Sequence, residues 1–378
     1  GLAPEPIRRA RPGQGCVLAM GAEMKNAIAV GCEDEIVLSP HVGDLDTLEA
    51  VQGLEKVAAE LPKFLDRRPD RVAVDLHPDM QSTRLGRRIA GERNLPVLEV
   101  QHHHAHAAAC MAEHGVEECL ALVFDGTGLG TDGSVWGAEL LYVTFRRFER
   151  LGTFEGVPLP GGDAAVLNPA RQLVARWLQA GAGISGAWRT RLGFGEEEWG
   201  LIAHQCRNRI NTPVTHAAGR VFDSFSVLLG LMPPGITYDG QPAVRLEACA
   251  IRERSQRQDT VLDFKAVQSD GLLVIEWQDL FARYAQEPPL PGLAGALALA
   301  FHDAMARAAY RMAEHGAART GCRTVALSGG VFMNRILNDR LVPMLEAGGF
   351  KVLIHRSTPP NDGCIALGQA AIAMYSQR

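Results

Sequence analysis

Short apolar runs separated by polar turns recur along the first third of the chain, and their lengths are those of β-strands. Runs at 16–20, 27–32 and 36–39 predict three strands, joined by a turn at 21–26 and by Glu33-Asp34-Glu35. Residues 46–65 carry a helical pattern, with Asp46 as the expected N-cap and Pro62 breaking the last turn. A strand at 71–76, a helix at 82–93, a strand at 96–100 and an alanine-rich helix from residue 102 follow. The order is βββαβαβα. It then restarts with strands at 119–124, 134–145 and 147–153. Residues from about 155 to 290, mostly helical in pattern, interrupt the second copy. A helix at 293–315, strand 324–327, helix 334–347, strand 351–355 and helix 362–375 complete it.

A duplicated βββαβαβα unit with a large insertion in its second half is an α/β arrangement, that of the actin-like ATPase (ASKHA) superfold. The expected organisation is a linker at 1–14, a first lobe at 15–117 and a second lobe at 118–378. In that superfold two lobes clamp a nucleotide, and glycine turns let backbone N–H groups approach its phosphates. Three turns qualify: residues 21–26, residues 125–133, and Ser328-Gly329-Gly330 leading to Asn334. Lys25 in the first either pairs with a phosphate or carbonyl oxygen or is a solvated turn lysine.

The densest chemistry lies in Gln101-His102-His103-His104-Ala105-His106, at the junction of a strand and a helix. His102 and His106 are four apart, so they share a helix face and can reach one ion. Imidazole suits zinc, iron and similar divalent metals. His103 and His104 point elsewhere, towards a supporting or substrate-facing role. The competing reading is a solvated histidine cluster. Carboxylates decide between the two. Asp125 ends the first strand of the second half, and Asp362 opens the final helix, both where α/β folds place ligands. Each has a structural alternative: a turn residue for Asp125, an N-cap for Asp362.

Composition changes the picture only by exclusion. Of the 378 residues, 47% are hydrophobic and 21% charged, as in an ordinary globular protein. A net charge of -5 offers no basic footprint for nucleic acid. The eight cysteines form no CxxC pair, which points to a reducing compartment. No apolar run is long enough to span a membrane and no signal-peptide pattern opens the sequence, so a cytoplasmic protein is expected. The start at Gly1 and the basic stretch Arg8-Arg9-Ala10-Arg11 read as a piece of a longer polypeptide with a linker at its front.

His102-His103-His104-Ala105-His106-Ala107, Met24-Lys25-Asn26, His41-Val42-Gly43-Asp44-Leu45, Leu159-Pro160-Gly161-Gly162-Asp163 and Leu327-Ser328-Gly329-Gly330-Val331 together resemble the HypF family. These are carbamoyltransferases of nickel–iron hydrogenase maturation, and the resemblance covers their C-terminal, TsaD-like domain. It implies that His102, His106, Asp125 and Asp362 hold a divalent metal, Fe²⁺ or Zn²⁺ with Mg²⁺ as the alternative. It also implies ATP or carbamoyl-AMP as nucleotide, contacted by Gly126, Asp223, Tyr238, Gly240, Gln241, Gly329, Gly330 and Asn334. Asp223 would take the ribose hydroxyls, and Lys25, His102 and His106 would serve catalysis. The implied partners are HypE, through its C-terminal cysteine, and a YrdC-like domain upstream in the same polypeptide.

Three functions compete on the sequence. The first is carbamoyl transfer from carbamoyl adenylate to the HypE thiol, for the cyanide ligands of the hydrogenase. The second is threonylcarbamoyl transfer to tRNA, as in the TsaD family, which the acidic balance fits poorly. The third is a non-enzymatic actin-like nucleotide switch, which needs no histidine pair. The related O-carbamoyltransferases share the chemistry but carry the YrdC-like unit after this domain. Cys110 and Cys364, nearest the site in sequence, are expected as packing residues rather than covalent relays, so the resemblance implies direct transfer.

Overall fold

A computed structural model describes residues 5–8, 12–232, 235–253 and 260–375. Arg9, Ala10 and Arg11 of the expected linker lie outside the described residues. In the first half, β1 (Ile7–Arg8), β2 (Cys16–Ala19), β3 (Ala29–Cys32), β4 (Glu35–Leu38), β5 (Arg71–Asp75) and β6 (Val97–Val100) form one sheet. Its order is β1-β4-β3-β2-β5-β6, antiparallel through β2 and parallel from β2 to β6. Helices α1 (Leu48–Phe64), α2 (Gln81–Arg93) and α3 (His102–His114) alternate with the later strands. Thr47, not Asp46, caps α1, because its Oγ1 accepts the Ala50 N–H at 3.2 Å. Pro62 lies inside α1 without ending it. A proline in a last turn forfeits a single helical bond, and this one is buried on the same stripe as Leu54, Ala58 and Leu61.

The second half opens with β7 (Glu118–Leu129), β8 (Val135–Thr144) and β9 (Phe148–Phe154), an antiparallel trio. Here the structure corrects the expected glycine loop. β7 runs on through Gly126 and Gly128 with a register slip between Phe124 and Gly128, and the turn is confined to 130–133. A Cβ on Gly128 would collide with the rings of His103 and His102, so glycine lets the strand cross the histidine helix.

The insertion contains β10 (Val157–Pro158), α4 (Asp163–Leu167), α5 (Ala170–Gln179), α6 (Gly186–Leu192), α7 (Glu196–Asn208), β11 (Val214–Thr215), α8 (Ala218–Leu228) and α9 (Gln241–Glu253). It is not helical throughout. β12 (Lys265–Ser269) and β13 (Leu272–Glu276) form a hairpin that adds to the edge of the second sheet, β13 running parallel to β9. Its turn, Asp270-Gly271, has positive φ at both positions, as a two-residue hairpin requires. After α10 (Gln278–Arg283) and α11 (Ala294–Thr320), the duplicated pattern resumes with β14 (Thr324–Ser328), α12 (Arg335–Ala347), β15 (Lys351–Ile354) and α13 (Ile365–Tyr375). The core order β9-β8-β7-β14-β15 repeats β4-β3-β2-β5-β6 strand for strand.

The last helix of each half packs on the other half's sheet. α3 lies on β7, β8 and β14, whereas α13 lies on β2, β3, β4 and β5. The two helices cross so closely that a Cβ on Gly368 would overlap the Ala105 carbonyl. That crossing brings the start of α3 and the residues before α13 to the register slip within β7 and the end of β14, which is where the site lies. Among the described residues no helix is long and apolar enough to cross a membrane.

Candidate metal centre and cleft

α3 starts where β6 ends, and Gln101 caps it by accepting the His104 N–H at 2.9 Å. All four histidines of this turn are buried, which excludes a solvated cluster. They divide by direction. His102 and His106, one turn apart, aim Nε2 at a common point with Asp125 and Asp362. Their Nε2 atoms stand 3.5 and 3.3 Å from Asp125 Oδ2, and each lies 3.7 Å from Asp362 Oδ1. The four candidate ligand atoms fall within 4.8 Å of one another. Tetrahedral ligands about 2.1 Å from an ion stand about 3.4 Å apart, so the spacing fits one shared cation. Neither Nε2 has a hydrogen-bond partner, although both are buried.

Electrostatics points the same way. Burial opposes protonation of His102, but Asp75, Asp125 and Asp362 outweigh it and hold the imidazole well above its usual range. For His106, burial is outweighed by Cys364, Asp125 and Asp362, with the same result. Burial would raise Asp125, yet the two histidines hold it well below the usual carboxylate range, and Asp362 is lowered for the same reason. Positive charge between these groups is therefore favoured. Asn361, not Asp362, supplies the cap before the final helix, by accepting the Gly363 N–H at 3.1 Å. The Asp362 carboxylate is left for the cluster.

The other two histidines face away from that point. His104 Nε2 donates to the Thr144 carbonyl at 2.8 Å, and burial pushes its pKa down to about 4. His103 Nδ1 accepts from Gln101 at 3.0 Å beside Trp136, and burial, with His102 adding to it, holds the ring well below its usual pKa.

Several supporting residues escaped the sequence reading. Asp75, fully buried at the end of β5, accepts from His102 Nδ1 at 2.8 Å and also from the His77 N–H. Behind His106 stand Ser328, His355 and Glu113 in hydrogen-bonded succession. An acid closing the apolar strand Arg71–Asp75 was a readable signal for Asp75. Nothing in spacing could pair Glu113 with His355, 242 positions away.

Of the expected nucleotide residues, Gly330 touches this cluster directly. Gly330 donates its N–H to Asp125 Oδ1 at 3.1 Å, and Gly329, at φ +99°, passes against the backbone of Phe124. Asn334 caps α12 through Oδ1 and donates through Nδ2 to His302. Asp223 is buried and paired with Arg220 at 2.7 Å, while Arg220 also donates to the Gly126 carbonyl at 3.2 Å. Gly240, at φ +73°, shapes a turn in which Gln241 accepts the Thr237 N–H and Tyr238 is half exposed. Lys25, at φ +49°, reaches across to Asp239 at 2.7 Å, so an ion pair bridges the first lobe and the insertion. Burial works against the Lys25 charge, but Asp239 and then Asp362 raise its pKa.

A family model described as the carbamoyltransferase Kae1-like domain, second subdomain, matches residues 121–369, and the HypF Kae1-like domain matches residues 12–113. The chain belongs to the HypF carbamoyltransferase family. Carbamoyltransferase HypF2 of Cupriavidus necator is 37% identical over 99% of this chain but 48% of its own length. A HypF homolog from the same organism is 37% identical, with 94% of this chain and 91% of the relative covered. Full-length HypF in its phosphate- and nucleotide-bound form superposes with a TM-score of 0.89 at 31% identity, covering 98% of this chain and 57% of that one. HypF of T. kodakarensis gives 0.87 at 30%, covering 99% and 49%. The chain thus spans about half the length of several HypF relatives, and the actin-like α/β fold expected from its repeat is the fold of this family's Kae1-like portion.

Proposed function

We propose that this chain is the carbamoyl-transferring module of a hydrogenase-maturation enzyme, moving a carbamoyl group from carbamoyl adenylate to the C-terminal cysteine of HypE. The observation that carries the reading is the convergence of His102, His106, Asp125 and Asp362, with both imidazole Nε2 atoms buried and unpartnered. That donor set fits Fe²⁺ or Zn²⁺. These four residues would hold the ion, which when bound supplies a Lewis acid for a phosphate or carbonyl oxygen.

The protein's own groups account for the rest. Carbamoyl adenylate is a mixed anhydride. The acceptor thiolate forms a new S–C bond at its carbonyl carbon, the C–O bond to phosphate breaks, and AMP departs with that electron pair. The thiol proton is lost beforehand, since the thiolate is the attacking form. Lys25, freed from Asp239, meets the negative charge that gathers on the leaving phosphate. Gly329 and Gly330 let the end of β14 pass close to Phe124 and Asp125, which keeps the Asp125 carboxylate in the cluster. The nucleotide- and phosphate-bound state of the full-length relative supports a nucleotide in this cleft. An upstream YrdC-like unit would supply the adenylate.

The test is direct. This chain, metal-loaded and given synthetic carbamoyl adenylate, should add one carbamoyl group to the HypE terminal cysteine, read by intact-protein mass. Modification of tRNA instead, or transfer that survives His102→Ala with His106→Ala, overturns the assignment.

A further inference from the structure

A second carboxylate, remote from the cluster, reaches His106 through a chain of hydrogen bonds. His106 Nδ1 lies 3.1 Å from Ser328 Oγ, Ser328 Oγ lies 2.9 Å from His355 Nε2, and His355 Nδ1 lies 3.2 Å from Glu113 Oε1. His106 and Ser328 are fully buried, and the exposure of the His355 and Glu113 side chains is 2% and 1%. The proton positions follow from one end. If Nε2 of His106 is the ligand atom, Nδ1 carries the hydrogen and donates to Ser328, with the Cys364 sulfur beside it at 3.4 Å. The Ser328 hydroxyl then donates to His355 Nε2, which leaves the His355 hydrogen on Nδ1, aimed at Glu113 Oε1 and at Thr358 Oγ1, which lies 3.0 Å away and itself donates to Glu113.

Glu113 is committed to this arrangement. It stands near the end of α3 and accepts the backbone N–H groups of Arg356, Ser357 and Thr358 at 2.6, 2.9 and 3.0 Å, together with the Thr358 hydroxyl. Those residues begin the segment that ends in Asp362. One carboxylate therefore meets the histidine that is linked through Ser328 to His106 of α3, and holds the loop bearing an aspartate of the same cluster.

We propose that Glu113, His355 and Ser328 are positioning residues that set the tautomer of His106 and the placement of Asp362. The inference rests on the metal reading above. The order serine–histidine–glutamate is also that of a hydrolytic triad. Here, however, Ser328 stands at His106 Nδ1, on the opposite side of the ring from Nε2, and is fully buried. It supports a ligand and does not attack a substrate. Outer partners of ligating histidines change metal affinity about 10–100-fold when removed.

The test uses the whole chain with Co²⁺ and Zn²⁺ as probes. Ser328→Ala and Glu113→Ala should each weaken Zn²⁺ affinity about 10–100-fold in chelator competition, and should alter the Co²⁺ ligand-field absorption. His355→Gln can accept from Ser328 and donate to Glu113, so its affinity should stay near the parent's. Thermal unfolding of the metal-free variants reports folding separately. Parent-like Zn²⁺ affinity in folded Ser328→Ala overturns the proposal, and so does labelling of Ser328 by a serine-directed electrophile. A parent that takes up neither ion overturns the metal reading itself. Nitrogen NMR of the metal-free chain still decides the hydrogen-bond chain in that event: a hydrogen on His355 Nδ1 upholds it, and one on Nε2 overturns it.

Discussion

The His102 imidazole donates from Nδ1 to the buried Asp75 carboxylate at 2.8 Å, and this bond turns its Nε2 towards Asp125 and Asp362. Asp75 ends β5 in the first half, while Asp125 lies on β7 in the second, so one imidazole joins the duplicated halves. Removing the carboxylate should free the ring to rotate and make it less basic. Asp75→Ala is expected to lower Zn²⁺ affinity about 10–100-fold, measured by chelator competition. Parent-like affinity would show that the orientation is held by packing alone.

Loss of both candidate imidazoles should abolish metal uptake without unfolding the chain. His102→Ala with His106→Ala leaves Asp125 and Asp362 alone, too few groups for a borderline ion. Metal content by mass spectrometry should fall from one ion per chain to none, with the circular dichroism spectrum retained. Full metal content in this variant would locate the ion elsewhere.

Asp223→Asn separates a nucleotide role from a structural one. The carboxylate is buried against Arg220, so its neutralisation leaves a buried guanidinium without its anion and lowers thermal stability. If it also takes the ribose hydroxyls, ATP affinity should fall by about 1–3 kcal/mol. Calorimetry on the folded variant reads the second effect. Unchanged affinity there removes Asp223 from the nucleotide site.

Acid should destabilise the fold through His302 and His104. Burial, the dominant cause in each, lowers both to about 4 from an unfolded value near 6.5. A depressed histidine means that the unfolded chain binds the proton more readily. Stability is then complete above about pH 6.5 and is lost as pH falls towards 4. By pH 5 each histidine should cost about 2 kcal/mol relative to neutral pH. His302→Gln cannot take up that proton, so its urea midpoint should fall less between pH 7.5 and 5 than the parent's. An equal drop in both proteins would assign the acid sensitivity to other groups.

Gly368→Ala tests the helix crossing on which the site depends. The added methyl would overlap the Ala105 carbonyl of α3, one residue from His106. A loss of about 1–3 kcal/mol or more is expected from overpacking, read by denaturant unfolding, with weaker metal uptake alongside it. Parent-like stability would mean that the two helices can separate at little cost.

Local pattern was enough for the repeated order of strands and helices, because period and run length are written in consecutive residues. It was enough, too, for His102 and His106, since a helix puts residues four apart on one face. It reached Asp125 and Asp362 as strand-end and helix-start acids facing the cleft, while their grouping with the histidines as one metal site came from the expected fold and the family resemblance. The hairpin β12–β13 within the insertion went unread amid helical neighbours, and Gly126 and Gly128 looked like loop residues because glycine in a strand and glycine in a turn are alike in sequence. Only the tertiary structure showed that α3 and α13 exchange sheets, that Asp75 holds His102, and that Glu113 reaches His106 through Ser328 and His355. Local conformation depends on neighbours along the chain. A buried hydrogen bond between residues more than two hundred positions apart depends on how the two halves pack, and single-chain periodicity carries no record of that.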